Sequence, residues 1–265
     1  MRTVDTFPPG VADIVGSLKN LRIIIFMALS DLRARYKRSV LGPFWVTLST
    51  AAGSAGLGFL WSRLMHMDAH TFVPSLTAGL ILWQYMSQLI VESTTIFSRQ
   101  ASIIRNLNLP VSIHPLQLLL RHLINFAHNA PVFIVVAFIL KLPFSWTMLW
   151  ALPGLLILTL NLVWIALLFS MLGARFRDLE YLIASIMPLM MFISPVFYRP
   201  NYLKVSAKII WMNPFSHFIE IVRYPLLGEI PPLFVIEVNV ALLVFGSIFT
   251  LWLFNKKRTR IPFWI

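Results

Sequence analysis

Cysteine is absent from the 265 residues, which excludes disulfides, thiolate metal sites and a cysteine nucleophile. Charge is scarce: Asp, Glu, Lys and Arg make up 12% of the chain, about half the ~25% of a soluble domain. Acids are rarest, 10 against 22 Lys and Arg. No G-x-x-x-x-G-K-S/T phosphate loop, H-E-x-x-H or G-x-S-x-G motif occurs, and no two carboxylates share a useful spacing. The chain is therefore expected to lack its own ATP site and to catalyse nothing. Internal repeats of the kind found in many secondary transporters are missing too. His122 and His128 lack a carboxylate at ligand spacing, so no metal site is expected.

Apolar residues, in contrast, make up 58% of the chain, and mean hydropathy is +0.78. A water-soluble globule of this size has too little interior to hide that much apolar side chain. The composition defines one all-α integral membrane domain over residues 1–265. A span needs about 20 apolar residues to cross ~30 Å of hydrocarbon, and six stretches qualify: 44–62, 72–92, 115–140, 149–172, 180–198 and 233–254. The first 40 residues are charged and broken by Pro8, Pro9 and Gly10, so no cleavable signal is expected. With the N-terminus in the cytoplasm, fifteen of the 22 cations fall inside and six outside, and Arg121 sits near the cytoplasmic end of the third span. That asymmetry places both termini in the cytoplasm.

Ahead of the first span, Ile14, Leu18, Leu21, Ile25 and Leu29 recur at helical spacing among Lys19 and Arg22. Residues 12–30 are thus expected to form one amphipathic helix in the membrane interface. It leads into the basic stretch Arg33, Arg35, Lys37 and Arg38 at headgroup level, where each cation gains about 1 kcal/mol on anionic lipid. The first span carries two small-residue pairs four apart, Ala52/Gly56 and Ser54/Gly58, which permit close helix approach, either within one subunit or as a seam between two copies. The third span has a polar face, Arg121, Asn125 and His128 with His122 and Asn129 beside it, which must look into protein or water. Glu92 is the expected partner of Arg121. Pro188 and Pro195 kink or shorten the fifth span. The outer segment after it is too apolar for a solvated loop, and Asn213-Pro214 reads as a helix cap followed by a first-turn proline. Two short outer helices are expected, 201–212 and 214–227.

Two inner loops are built to meet a partner. One presents Ile103, Ile104 and Leu107 as an apolar knob beside Arg105 and Asn106. The other is tight and charged, with Arg175, Arg177 and Asp178. Aromatics are abundant, 9 Trp, 21 Phe and 6 Tyr. Phe59, Trp61, Trp83, Tyr85, Phe192, Phe197 and Tyr198 are candidates to line a passage; interfacial belts use the same residue types.

Several stretches carry a family resemblance: Asp31-Leu-Arg-Ala-Arg-Tyr-Lys-Arg-Ser-Val-Leu-Gly-Pro-Phe-Trp45, Arg105-Asn-Leu-Asn-Leu-Pro110, Ala174-Arg-Phe-Arg-Asp178, Asn213-Pro-Phe-Ser-His217 and Arg223-Tyr-Pro-Leu-Leu-Gly228. In this order they resemble the membrane subunits of bacterial polysaccharide ABC exporters of the O-antigen, teichoic acid or capsule type, with O-antigen export the best fit. The resemblance implies a homodimer of six-span permeases in the cytoplasmic (inner) membrane, with two copies of a separate ATPase that holds ATP and Mg. It implies that Ile103, Ile104, Arg105, Asn106, Leu107, Arg175, Arg177 and Asp178 couple to that ATPase. It also implies a glycan on undecaprenyl diphosphate as substrate, with Arg33, Arg35, Lys37 and Arg38 near the diphosphate. The outer helices, with Trp211 and Phe215, would act as a gate. A permease of the same architecture for a drug or lipid, and a membrane-embedded enzyme or scaffold, are the alternatives.

Overall fold

The computed structural model describes residues 8–64, 66, 68–200 and 207–265, and among these the ordered elements are helices and turns, without strands. The chain runs α1 (Pro9–Lys19), α2 (Leu21–Tyr36), α3 (Phe44–Leu64), α4 (Ala69–Ser93), α5 (Ile96–Arg99), α6 (Ala101–Asn106), α7 (Ile113–Ile139), α8 (Ala151–Arg175), α9 (Leu179–Ile193), α10 (Ala207–Met212), α11 (Pro214–Leu226), α12 (Leu233–Lys257) and α13 (Ile261–Trp264). A 3-10 turn, Trp146–Trp150, leads into α8, and another, Arg258–Arg260, joins α12 to α13.

Five of the six apolar stretches coincide with helices of 21 residues or more, and the stretch 180–198 with the shorter α9. Three segments have both the length and the hydropathy to cross a membrane: Ile113–Ile139, Trp146–Arg175 and Leu233–Trp264. Helices α3 and α4, of 21 and 25 residues, have the length but are diluted by Ser, Thr, Gly and Gln, and α9 is apolar but only 15 residues long. Large apolar side chains stand exposed around the bundle, among them Phe138, Leu152, Leu156, Phe245, Ile248 and Trp252. A surface of that kind in water would aggregate; in hydrocarbon it is the solvated state.

Helix α4 is the core. Nearly every residue from Phe72 to Ile90 is buried, because α3, α7, α8, α9 and α11 all pack around it. The first and last described helices lie at one end of the bundle, called here the terminal end, where α1 packs on α12 and α13 on α8. The opposite end carries α10, α11 and the turns beside them.

Three sequence expectations need correction. Residues 12–30 do not form one helix: the chain breaks at Asn20, whose amide turns back to the Gly16 carbonyl (2.8 Å), and two helices result. The stripe Leu18, Leu21, Ile25 and Leu29 is exposed, and the face that packs on α7 is Ile24, Ala28 and Leu32. Helix α2 is apolar on both sides, so periodicity alone did not say which side meets protein. The fifth stretch was expected to run to 198, but α9 stops at Ile193. Ser194 is extended (φ −81°, ψ 150°), the conformation that a following proline favours. Of the outer helix expected at 201–212, residues 201–206 lie outside the described residues, and Ala207–Met212 is helical; its neighbour is Pro214–Leu226 rather than 214–227.

Candidate functional site

A cavity of about 840 Å³ opens between α2, α3, α4, α7 and α9. Its upper wall is aromatic and apolar, with Trp83 from α4 and Met187, Pro188 and Phe192 from α9. Arg35 and Glu92 stand at its terminal end and Asn125 on its α7 side. Trp83 is held edge-on by Phe215 of α11 (centroids 5.4 Å apart), and Phe192 lies against Phe197 (5.5 Å). Tyr198 closes that group by donating to the Ile193 carbonyl at 2.9 Å.

The charged end is a network. Arg121 on α7 pairs with Glu92 on α4 as the sequence led one to expect, and also reaches Asp31 on α2 (3.3 Å). Gln117 donates to the same Asp31 carboxylate at 2.7 Å, Arg35 reaches Glu92 at 3.3 Å, and the buried His122 Nε2 lies 3.6 Å from Glu92. The side chains of Arg121 and Glu92 are only 12% and 15% exposed, so the pair sits in a medium that screens poorly. The rest of the α7 polar face also looks into protein. Asn129 and Thr50 both donate to the Gln84 side-chain oxygen (3.1 and 3.0 Å), joining α3, α4 and α7. His128 turns to its own Ile124 carbonyl.

At the opposite end α11 is inserted into the bundle. Asn213 caps it through the Phe215 N–H (3.0 Å), with Pro214 in its first turn, as the sequence indicates. Its residues from Ser216 to Pro225 are buried. Gly154 of α8 admits it, since a Cβ there would collide with the Ile221 carbonyl. Arg223 and Glu220 pair in the interior, and Arg223 also donates to the carbonyls of Pro195 (2.6 Å) and Tyr198 (3.2 Å). His217 bonds the Trp211 carbonyl (2.8 Å); burial holds its imidazole below the usual range, against the pull of that bond and of Glu220. From sequence alone Glu220 and Arg223 carry no assigned pairing. Their three-residue spacing on a helix was the available signal.

The remaining candidates fall into separate groups. Arg33, Lys37 and Arg38 are exposed at the end of α2, near Arg35 in sequence but outside the cavity lining. Phe59 is exposed on α3, while Trp61 packs partly into the core. Tyr85 is buried and lies 3.3 Å from the Thr159 hydroxyl of α8, away from the cavity lining. Trp211 packs edge-on against Phe234 of α12 (4.8 Å). In the loop of α5 and α6, Arg105, Asn106 and Leu107 are exposed, Ile103 is half-buried and Ile104 packs on the core. Arg175 is flanked by the rings of Phe176 and Trp264, at 5.9 and 5.8 Å, while Arg177 and Asp178 project beside it. No cluster of His, Cys, Asp or Glu among the described residues is fit to hold a metal.

A helical bundle with a lipid-compatible surface and a polar-ended cavity is the build of an integral membrane protein. The chain belongs to the ABC-2 type transporter family, whose pattern it matches over residues 24–227. It is similar to two O-antigen export system permease proteins RfbA of Klebsiella pneumoniae, at 26% and 27% identity over 204 residues, covering 74% of this chain and 77% of each relative. An O-antigen export system permease protein RfbA of Myxococcus xanthus is 23% identical over 177 residues, covering 66% of this chain and 68% of the relative.

Proposed function

We propose that this chain is the permease subunit of an ATP-driven exporter that moves a lipid-linked polysaccharide of the O-antigen type across a bacterial inner membrane. The observation that carries the reading is its similarity to O-antigen export permeases over about two thirds or more of each chain. On this reading α3, α4, α7, α8, α9 and α12 are the six spans, and both termini are cytoplasmic. Two copies meet to form the channel, and the exposed Ala52/Gly56 face of α3 is available for that contact.

A separate ATPase, which holds ATP and Mg, docks on α6 and on the loop between α8 and α9. Exposed Leu107 is the apolar contact and Arg105, Arg177 and Asp178 the polar ones. The undecaprenyl diphosphate of the substrate meets Arg33, Lys37 and Arg38, and then Arg35 at the cavity. The sugar chain passes over Trp83 and Phe192, and α10 with α11 gates the outer side. Aromatic walls suit a glycan because they offer stacking area without fixed hydrogen bonds, so the polymer slides rather than sticks.

The reading is tested by deleting the gene in its host and measuring lipid-linked glycans by mass spectrometry beside surface glycan staining. Loss of a surface polysaccharide with build-up of its lipid-linked form is expected. Unchanged surface glycan without a precursor would move the assignment to a drug or lipid permease. In parallel, Leu107→Asp should abolish co-purification of the ATPase while leaving the amount of folded chain unchanged.

A further inference from the structure

The start of α7 is capped by a residue nearly a hundred positions away. Ser112, at the cap position, makes no side-chain bond to its own helix. Its backbone N–H and its hydroxyl instead donate to one oxygen of Asp13 on α1, at 2.9 and 2.7 Å. The other Asp13 oxygen accepts from the Val111 N–H (3.2 Å) and from Arg258, just past α12 (3.1 Å). Ser17 of α1 adds a hydroxyl bond to Ser112 (2.8 Å). Arg258 also donates to the Pro9 carbonyl (2.7 Å), and the Gly10 N–H donates to Asn255. Asp13 is only 8% exposed. A buried carboxylate at a helix N-terminus is favoured by the unpaired N–H groups and the helix dipole.

One carboxylate therefore joins α1, the loop that follows α6, and the end of α12. The loop is the segment whose exposed Leu107 is assigned above to the ATPase. Helix α7 runs from this cap to Arg121, the residue that organises the charged end of the cavity. We propose that Asp13 is a positioning residue for energy coupling. It makes the 107–112 loop, α1 and the end of α12 one rigid unit, so that a displacement of α6 by the ATPase reaches α7 and the cavity instead of dissipating in the loop. The inference rests on the reading of this chain as an ATP-driven permease.

The test uses the purified complex of this chain with its ATPase, as wild type, Asp13→Asn and Arg258→Gln. Asn cannot accept on both sides, so the Val111 N–H and Arg258 lose their partner. Glycan export, ATP hydrolysis and nucleotide-dependent hydrogen exchange at 107–118 and 258–265 are measured together. Asp13→Asn should assemble and hydrolyse ATP near the wild-type rate but export about tenfold less, the scale set by losing a hydrogen bond to a charged group. Nucleotide should still change exchange in the loop but no longer at 258–265. Arg258→Gln leaves the α7 cap intact and should lose only the response at 258–265.

Export by Asp13→Asn at the wild-type ATP stoichiometry overturns the proposal. If Asp13→Asn fails to assemble, Arg258→Gln decides, and an unchanged response at 258–265 overturns it. A wild-type complex that hydrolyses ATP without exporting glycan counts against the functional reading instead, and the exchange measurements still judge the linkage.

Discussion

Arg223 and Glu220 form an ion pair one turn apart on α11 in which each side chain is only 1% exposed. The same guanidinium ties down the stretch after α9 through the carbonyls of Pro195 and Tyr198. One side chain thus fixes the inserted helix to the turn that follows α9. The pair is a condition of burial: neither charge is tolerable there without the other.

Replacing Arg223 alone by Met leaves Glu220 charged and buried, and should cost about 3–5 kcal/mol. The double variant Arg223→Met with Glu220→Leu removes both charges and should recover part of that loss. Two orphaned carbonyls remain, at about 1–3 kcal/mol each. Thermal unfolding of the detergent-solubilised protein measures both, and equal losses for single and double variants would contradict the account.

At the other end of the bundle, burial ranks two arginines that share one carboxylate. Arg35 is 49% exposed and Arg121 12%. Arg35→Gln should therefore change stability by about 0–1 kcal/mol, as exposed pairs do. Arg121→Gln removes the buried cation shared by Glu92 and Asp31 and should cost about 3 kcal/mol or more. The same unfolding assay in low and high salt adds a check, because only the Arg35 contribution should fade with salt.

Two glycines predict opposite outcomes. Gly154→Ala drives a methyl into the Ile221 carbonyl and should destabilise by about 1–3 kcal/mol, lowering the folded yield. Around Gly56 nothing lies within 4 Å of an added Cβ, so Gly56→Leu should leave the folded subunit intact. On the proposed homodimer it should shift the chain toward monomers, which light scattering in detergent reads directly.

The helices were legible because apolar runs of span length leave few other readings, and the Asn213-Pro214 cap is a local signal. The Glu92–Arg121 pair was legible because two charges in apolar helices at the same depth need each other. The Asn20 break was not, since helical spacing continues across it. Asp13 was not legible either: a single acid in an amphipathic segment has no periodicity, and its partners Val111, Ser112 and Arg258 are distant in sequence. Among the aromatics, composition named Trp83 and Tyr85 alike. Two residues apart on α4, they point to different surroundings, one to the cavity and the other to Thr159.

The insertion of α11 has a consequence for biosynthesis. Its seat is built from α4 and α8, made before it, and from α12, made after it, where Asn239 bonds the His217 carbonyl (2.8 Å). Until α12 has been translated, the Glu220–Arg223 helix has an unfinished berth, and it cannot wait in open lipid with both charges. A helix made after α11 thus completes a site laid down by its predecessors, and a nascent chain cut short before residue 233 would be left with α11 unseated.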